Sequence, residues 1–257
     1  MNPNALLPPV VKNLLIINGL FFLAKFSFPA DELGRNTLDA TLGMYYVGSP
    51  LFRPWQVFTH LFLHGDLGHL FTNMFGLFMF GGPVERYLGS KRFLIYYLAC
   101  GLGAAVLHTG VNAYEVLRDE AVVAAYGVDV QEVRDAVAAA SLDEADHILN
   151  GVMATYGVPQ QALTQVFFDH VGTIIGASGA VFGILLAFGM LFPEQEIFLL
   201  LLPIPIKAKY FVVIYGLVEL FMGLKQSPGD NVAHFAHLGG MIFGFILLRH
   251  WRRRMLL

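Results

Sequence analysis

Apolar residues run along this chain in long blocks with little alternation. Six blocks reach or approach the about 20 largely apolar residues a helix needs to cross lipid. They are "PVVKNLLIINGLFFLAKFSF" (9–28), "GHLFTNMFGLFMFGGPV" (68–84), "RFLIYYLACGLGAAVLHTGV" (92–111), "VGTIIGASGAVFGILLAFGMLF" (171–192), "KYFVVIYGLVELFMGL" (209–224) and "VAHFAHLGGMIFGFILL" (232–248). A seventh, "IFLLLLPIPI" (197–206), is short and proline-broken, and reads as an interfacial or packed loop. The pattern predicts an all-α membrane protein with six transmembrane helices. The first block lacks a basic n-region and a small-residue cleavage site, so it is expected to be kept as a span.

Two polar stretches interrupt the rhythm. Residues 112–170 hold ten acidic and two basic residues in a helical pattern. "SLDE" (141–144) has the form of a capping box, and Asp129 is placed to cap the helix before it. Leu142, Ala145, Ile148, Leu149 and Met153 form an apolar stripe at helical spacing. The segment reads as an extracytoplasmic helical insertion, with a solvated decoration favoured over a catalytic role. The other stretch, 29–60, is a long aromatic-rich outer loop carrying Trp55, a residue type that favours the membrane interface. There is no internal repeat and no low-complexity tract.

Composition agrees. Charged residues make up 14% of the 257, against about 25% in soluble domains. Orientation follows from the basic residues. With the N-terminus inside, Lys12, Arg86, Lys91, Arg92, Lys207, Lys209, Arg249, Arg252, Arg253 and Arg254 face the cytoplasm. Lys25, Arg35, Arg53, Arg118, Arg134 and Lys225 face out. The excess inside puts both termini in the cytoplasm. The net charge of −3 carries little information, because acidic residues scarcely affect topology. The one cysteine, Cys100, excludes an intramolecular disulfide and reads as a small packing residue.

Polar side chains inside spans are costly in lipid unless paired or functional. Four stand out: His69, Asn73, Ser178 and His237. His69 and Asn73 are four apart, on one helix face. At a helical rise of 1.5 Å per residue, Ser178 and His237 fall about 10 Å below the outer surface. Serine needs a base to become a nucleophile, and histidine suits that work near neutral pH. Attack on a carbonyl creates an oxyanion, for which His69, Asn73 and the Ser178 N–H are candidate donors. Gly176 and Gly179 leave room beside the hydroxyl for a substrate backbone. Each element has a plainer reading. "GAVFG" (179–183) is a helix-packing GxxxG, "AHLGG" (236–240) holds small residues for a neighbouring helix, and an i,i+4 His/Asn pair often bridges helices. The combination at matched depth favours chemistry.

These motifs together resemble those of the rhomboid intramembrane serine proteases, in the bacterial six-span form. The resemblance covers about 200 residues, all but the insertion and tails. "GASGAVFG" (176–183) is similar to the family's GxSGxxxG, which implies Ser178 as nucleophile. "AHLGG" is similar to its AHxxG, which implies His237 as base. "HGDLGHLFTNM" (64–74) carries HxxxN, which implies an oxyanion site at His69 and Asn73. "GGPVER" (81–86) implies a structural Glu85. The implied fold is a six-transmembrane-helix rhomboid-like bundle with a helical extracytoplasmic insertion. Its parts are residues 1–111, the insertion 112–170, residues 171–250 and a basic tail 251–257. There are departures. Trp55-Gln56 stands where the family often has Trp-Arg, which bears on loop anchoring. Phe182 stands where some members carry tyrosine against the catalytic ring. The insertion exceeds that of compact members and bears on substrate access.

The resemblance implies a Ser-His dyad, and no acidic third member is evident. Glu219, near the outer end of the fifth span, is expected to reach the interface. His234 is expected to face water or bond locally, and His60 and His64 to brace the first outer loop. Gly240 completes the supporting set of Gly176, Gly179 and Phe182. The expected activity is endoproteolysis in or beside transmembrane segments of other membrane proteins, through an acyl-enzyme. Cleavage at small residues in a locally unwound helix is implied. No cofactor, metal or nucleic acid is called for; the partners are membrane-protein substrates and lipid. The expected location is a bacterial inner membrane. Two other readings compete: a catalytically silent rhomboid-like protein that binds membrane clients, and a haem or metal protein using the clustered histidines. The absence of HExxH disfavours a metalloprotease.

Overall fold

A computed structural model describes residues 7–31, 35–139, 141–199, 202–225 and 233–255. The chain divides into two compact units. One comprises residues 1–22, 64–108 and 176–257, the other residues 23–63 and 109–175. Among the described residues the fold is all-α apart from two two-stranded ribbons.

In the first unit, helix α1 (Pro9–Ala24) starts on a long-range cap. Glu85, fully buried, accepts from the N–H groups of Val10 at 3.1 Å and Val11 at 2.8 Å. Those donors have no partner inside their own helix, and a carboxylate there also meets the positive end of the helix dipole. The Ser90 hydroxyl adds a third bond at 2.7 Å. Glu85 is therefore structural, as expected.

The second apolar block forms α4 (Leu67–Gly76), a π-helical turn (Leu77–Gly81) and α5 (Gly82–Leu88). Helix α6 (Ser90–Ala124) runs without a break past residue 111, where the span was expected to end. The fourth block departs more. The expected helix 171–192 is helical only from Ser178, as α10 (Ser178–Leu191). The residues before it are held open by Gly176 at φ 131°, a conformation that glycine alone adopts at little cost. Helix α11 (Ala208–Lys225) matches its block, and α12 (His234–Met255) runs on into the expected basic tail. Leu256 and Leu257 lie outside the described residues.

The stretch 197–206 is not a loop. Strands β3 (Glu196–Leu199) and β4 (Leu202–Lys207) pair antiparallel, with Glu196 opposite Lys207 and Ile197 opposite Ile206. Residues 200 and 201 lie outside the described residues. Each strand of a two-stranded ribbon has a free edge, where proline is tolerated despite lacking an N–H. Exposed Glu194 clamps the base of the ribbon, accepting from Lys207 Nζ at 2.7 Å and from Lys209. These two cations hold its carboxyl down at about 2.

Small residues pack α10 between two helices. A methyl group on Gly179 would sit 2.2 Å from Ala104 Cβ, and one on Gly183 2.3 Å from Cys100 Sγ. Gly240 of α12 comes so near that its own Cβ would lie 1.8 Å from the Gly179 carbonyl oxygen. Cys100 is buried in this contact, in the packing role expected of it.

Among the described residues, the helices Pro9–Ser27 and Ser90–Ala124 are long and apolar enough to cross a membrane, and Ser178–Leu191 is a shorter apolar helix. Helix α11 leaves Val213, Leu217, Phe221 and Leu224 at least 60% exposed. Water disfavours such a surface and lipid accepts it.

The second unit contains α2 (Thr37–Leu42), α3 (Gln56–Thr59), α7 (Val130–Ala138), α8 (Leu142–Tyr156) and α9 (Gln160–Val171). Asp129 caps α7 by accepting from the Gln131 N–H, and Ser141 caps α8 by accepting from that of Glu144. Of the expected stripe, Ala145 is buried and Ile148, Leu149 and Met153 pack on the core with Val152. Leu142 instead is 37% exposed, at the start of its helix. Strand β1 (Met44–Tyr45) pairs with β2 (Thr173–Ile174), and the Ser49 hydroxyl donates to the His170 carbonyl. The long outer loop and the acidic segment thus share one unit. Gln56, where the family often has arginine, is 1% exposed. Its amide donates to the Thr41 and Leu51 carbonyls and accepts from the Arg53 N–H, so it anchors this loop. Trp55 Nε1 reaches the Thr41 carbonyl at 3.2 Å while the ring stays half exposed.

Candidate active site

The residues singled out in the spans all belong to the first unit. Ser178 is the first residue of α10 and is half-buried. Its N–H lies in the first helical turn, where the helix offers no carbonyl acceptor of its own. That leaves the N–H suited to an oxyanion.

Asp66 caps α4 by accepting from the His69 N–H at 2.8 Å, which fixes where the His69 ring leaves the backbone. The Gly65 N–H donates to His69 Nδ1 at 3.4 Å. With Nδ1 an acceptor, the proton of a neutral ring sits on Nε2. That nitrogen lies 2.8 Å from where a side chain at Gly176 would begin, two residues before Ser178. Gly176 therefore makes room for His69 as well as adopting the positive φ. The ring of His64, fully buried, stands edge-on to His69 with centroids 5.0 Å apart. Asn73 is 5% exposed, and its amide donates to the His69 carbonyl at 3.1 Å. One amide N–H is used there, and an amide carries two. His60 is buried and bonds the Gln56 carbonyl through Nδ1 at 2.9 Å, within the second unit. Burial lowers its pKa.

His237 is 8% exposed on α12. Its imidazole lies flat on Phe182, with centroids 4.1 Å apart and planes 8° from parallel. Phe182 follows Ser178 by four residues, so both project from one face of α10. Gly179 and Gly240 bring the two helices together at this level, and a Cβ on Gly179 would lie 3.3 Å from the Ala236 carbonyl. The open side of Gly179 thus admits a neighbouring helix, which is the packing reading of "GAVFG". The same packing carries His237 to the helix that begins at Ser178.

Residues 52–127 and 148–254 match the model of the Rhomboid domain. The chain belongs to the rhomboid family. It is 28% identical over 213 residues to an uncharacterized mitochondrial rhomboid protein of Schizosaccharomyces pombe, covering 79% of this chain and 53% of that one. It is 24% identical over 234 residues to RHOMBOID-like protein 1 of Arabidopsis thaliana, covering 88% and 43%. A shorter match, 35% identical over 51 residues, is to the rhomboid protease GlpG of Salmonella choleraesuis, covering 20% and 18%. The chain spans about half or less of the length of these relatives. Family membership makes this rhomboid a membrane protein. The family match skips residues 128–147, so only the middle of the acidic segment lies outside it.

Two residues expected to lie apart from the candidate site, Glu219 and His234, belong to its surroundings. Glu219 does not reach the interface, being 6% exposed. One of its oxygens, Oε2, lies 2.8 Å from His237 Nδ1 and 2.7 Å from His234 Nδ1. His234, expected to face water or bond locally, is 8% exposed and bonds across to α11. A signal was available. Glu219 is the sole acid of the apolar block 209–224, and such a residue by default needs a partner. His234 and His237 are three apart and share a helix face.

Proposed function

We propose that this rhomboid is an intramembrane serine endopeptidase that cuts peptide bonds in or beside the transmembrane segments of other membrane proteins. The observation that carries the reading is the fixed imidazole of His237, stacked on Phe182 one turn along the same face from Ser178. Hydrolysis by a serine needs a base held in a fixed orientation near it, and the stacked ring supports His237 in that role.

Ser178 Oγ attacks the scissile carbonyl carbon while His237 Nε2 takes the hydroxyl proton. The oxyanion gathers the Ser178 N–H, the His69 Nε2–H and an amide N–H of Asn73. Collapse breaks the C–N bond, and His237 returns the proton to the leaving amine. Water then enters by the same route and frees the acyl group from Ser178. The substrate helix must unwind locally, because an intact helix ties up its carbonyls. No cofactor takes part. In this reading six spans cross a bacterial inner membrane, both termini are cytoplasmic, and the site opens to the outside. The alternative, a silent member that only binds clients, is disfavoured by the presence of both Ser178 and His237.

Incubation with a panel of single-span proteins, followed by mass spectrometry of the cut ends, tests the reading. Ser178→Ala is expected to abolish cleavage, since losing the nucleophile of such a site costs about 10⁶ in turnover. A fluorophosphonate is expected to label the parent protein and not the variant. Cleavage retained by Ser178→Ala in detergent sinks the reading.

A further inference from the structure

Glu219 is a buried carboxylate that the serine–histidine reaction does not use. An uncompensated charge of this kind is expensive to bury, so its surroundings matter. Two imidazole nitrogens from α12 converge on its single oxygen Oε2, His234 Nδ1 at 2.7 Å and His237 Nδ1 at 2.8 Å. We propose that Glu219 is a positioning residue that holds His237 in its reactive tautomer, and that His234 anchors the carboxylate in place. The inference rests on the serine-protease reading of the site.

An ionised carboxylate can only accept, so both Nδ1 atoms must donate to it. A neutral His237 with its proton on Nδ1 keeps its lone pair on Nε2, where the hydroxyl proton of Ser178 is received. Two contacts then fix the ring. Stacking on Phe182 sets its plane, and the Glu219 bond sets its rotation within that plane. His234 approaches the same oxygen with its ring 87° from that of His237, so the carboxylate is held from a second direction. When His237 takes the serine proton it becomes an imidazolium facing a carboxylate 2.8 Å away. The proton stays on His237, Glu219 stays ionised, and the proton passes on to the leaving amine. This follows the logic of a carboxylate that orients histidine without being protonated itself.

The same three groups hold ligand atoms within 4.8 Å of one another, the reach of a metal site. The 2.7 and 2.8 Å separations argue for hydrogen bonds. Two ligands at about 2.1 Å from a tetrahedral ion would stand about 3.4 Å apart.

The test compares Glu219→Gln, Glu219→Asp and Ser178→Ala in the full chain, on a transmembrane substrate. Glu219→Gln keeps shape and removes charge. It is expected to lower kcat by about 10²–10⁴-fold with KM changed less than about twofold. ¹⁵N-histidine NMR is expected to show His237 protonated on Nδ1 in the parent and displaced from that tautomer in Glu219→Gln. Glu219→Asp, which keeps the charge, is expected to recover about tenfold of the lost kcat. Melting temperatures establish that each variant is folded. Parent-like kcat and an unchanged tautomer in Glu219→Gln overturn the proposal while leaving the protease reading intact. Equal losses in Gln and Asp variants that track a fall in melting temperature also overturn it, leaving a structural role. Cleavage retained by Ser178→Ala removes the parent reading and the proposal with it.

Discussion

Phe182 presses its whole face on His237, at 4.1 Å between centroids. Its other neighbour is Tyr215 of α11, at 5.1 Å and 26°, so the catalytic candidate is one end of an aromatic stack. A stacked pair is worth about 0.5–1.5 kcal/mol beyond its buried area. Phe182→Leu keeps the apolar bulk and removes the stack. It is expected to lower kcat by about three- to tenfold and to leave KM unchanged, while Phe182→Tyr stays within about twofold of the parent. Initial rates on one substrate at several concentrations check this. A Leu variant at the parent kcat would make the ring contact mere packing.

In the proposed reaction Asn73 has a divided role. One amide N–H is tied to the His69 carbonyl at 3.1 Å, and the second is the proposed oxyanion donor. A single such donor is worth about 10²–10³ in kcat. Asn73→Ala is expected to slow single-turnover cleavage by about 10²-fold, the lower end of that range, because His69 and the Ser178 N–H remain. An unchanged rate would reduce Asn73 to a bond within its own helix.

The parts visible beforehand were those written in one stretch of chain. Ser178, Gly179 and Gly183 sit in one motif, and apolar runs mark the helices. Glu219 and His237 are eighteen positions apart on different helices, and their meeting depends on how α11 and α12 pack. Periodicity within either helix does not report that. The β3–β4 ribbon was hidden by its prolines, which read as breaks and sit instead in strands with a free edge. The start of α10 at Ser178 was hidden because "VGTIIGA" is as apolar as a span. Hydropathy does not register the positive φ of Gly176.

Gly240 tests the packing that brings α12 to α10. A Cβ there would lie 1.8 Å from a backbone oxygen, that of Gly179, and backbone cannot swing aside as a flexible side chain can. Overpacking typically costs about 1–3 kcal/mol, and this site should lie at or above the upper end. Gly240→Ala is expected to lower the melting temperature clearly and to abolish cleavage at temperatures where the parent is active. Gly110→Ala, whose Cβ would meet nothing within 4 Å, is the matched control and should melt near the parent. Equal melting of the two variants would mean that α10 and α12 are not in this close contact.

The second unit carries a pH dependence of its own. Burial pushes the Asp169 carboxyl up to about 6, against help from the Gln165 amide at 2.8 Å. Glu115 and Asp119 of α6 add repulsion, offset in part by Arg118. A carboxylate whose pKa is raised by folding stabilises the fold while protonated, and that contribution is lost as pH rises through about 6. Asp169→Asn removes the penalty paid above that point. With solvent screening of a half-buried group, the gain at pH 8 is expected to be about 1 kcal/mol, shrinking toward zero at pH 4. His170 works in the opposite direction. Burial lowers its pKa despite the bond from Nε2 to Glu120 at 3.0 Å. Its contribution is present above the ordinary histidine value of about 6.5 and is lost as pH falls below it. The parent unit should therefore be squeezed from both sides, and Asp169→Asn should relieve only the alkaline side. Hydrogen exchange of residues 160–171, compared between variant and parent at the same pH, reads this directly. Slower exchange in the variant at pH 8 with no difference at pH 4 is the expected result. Faster exchange at pH 8 would mean that the Asp169 charge stabilises the fold, and the assigned cause of its shift would be wrong.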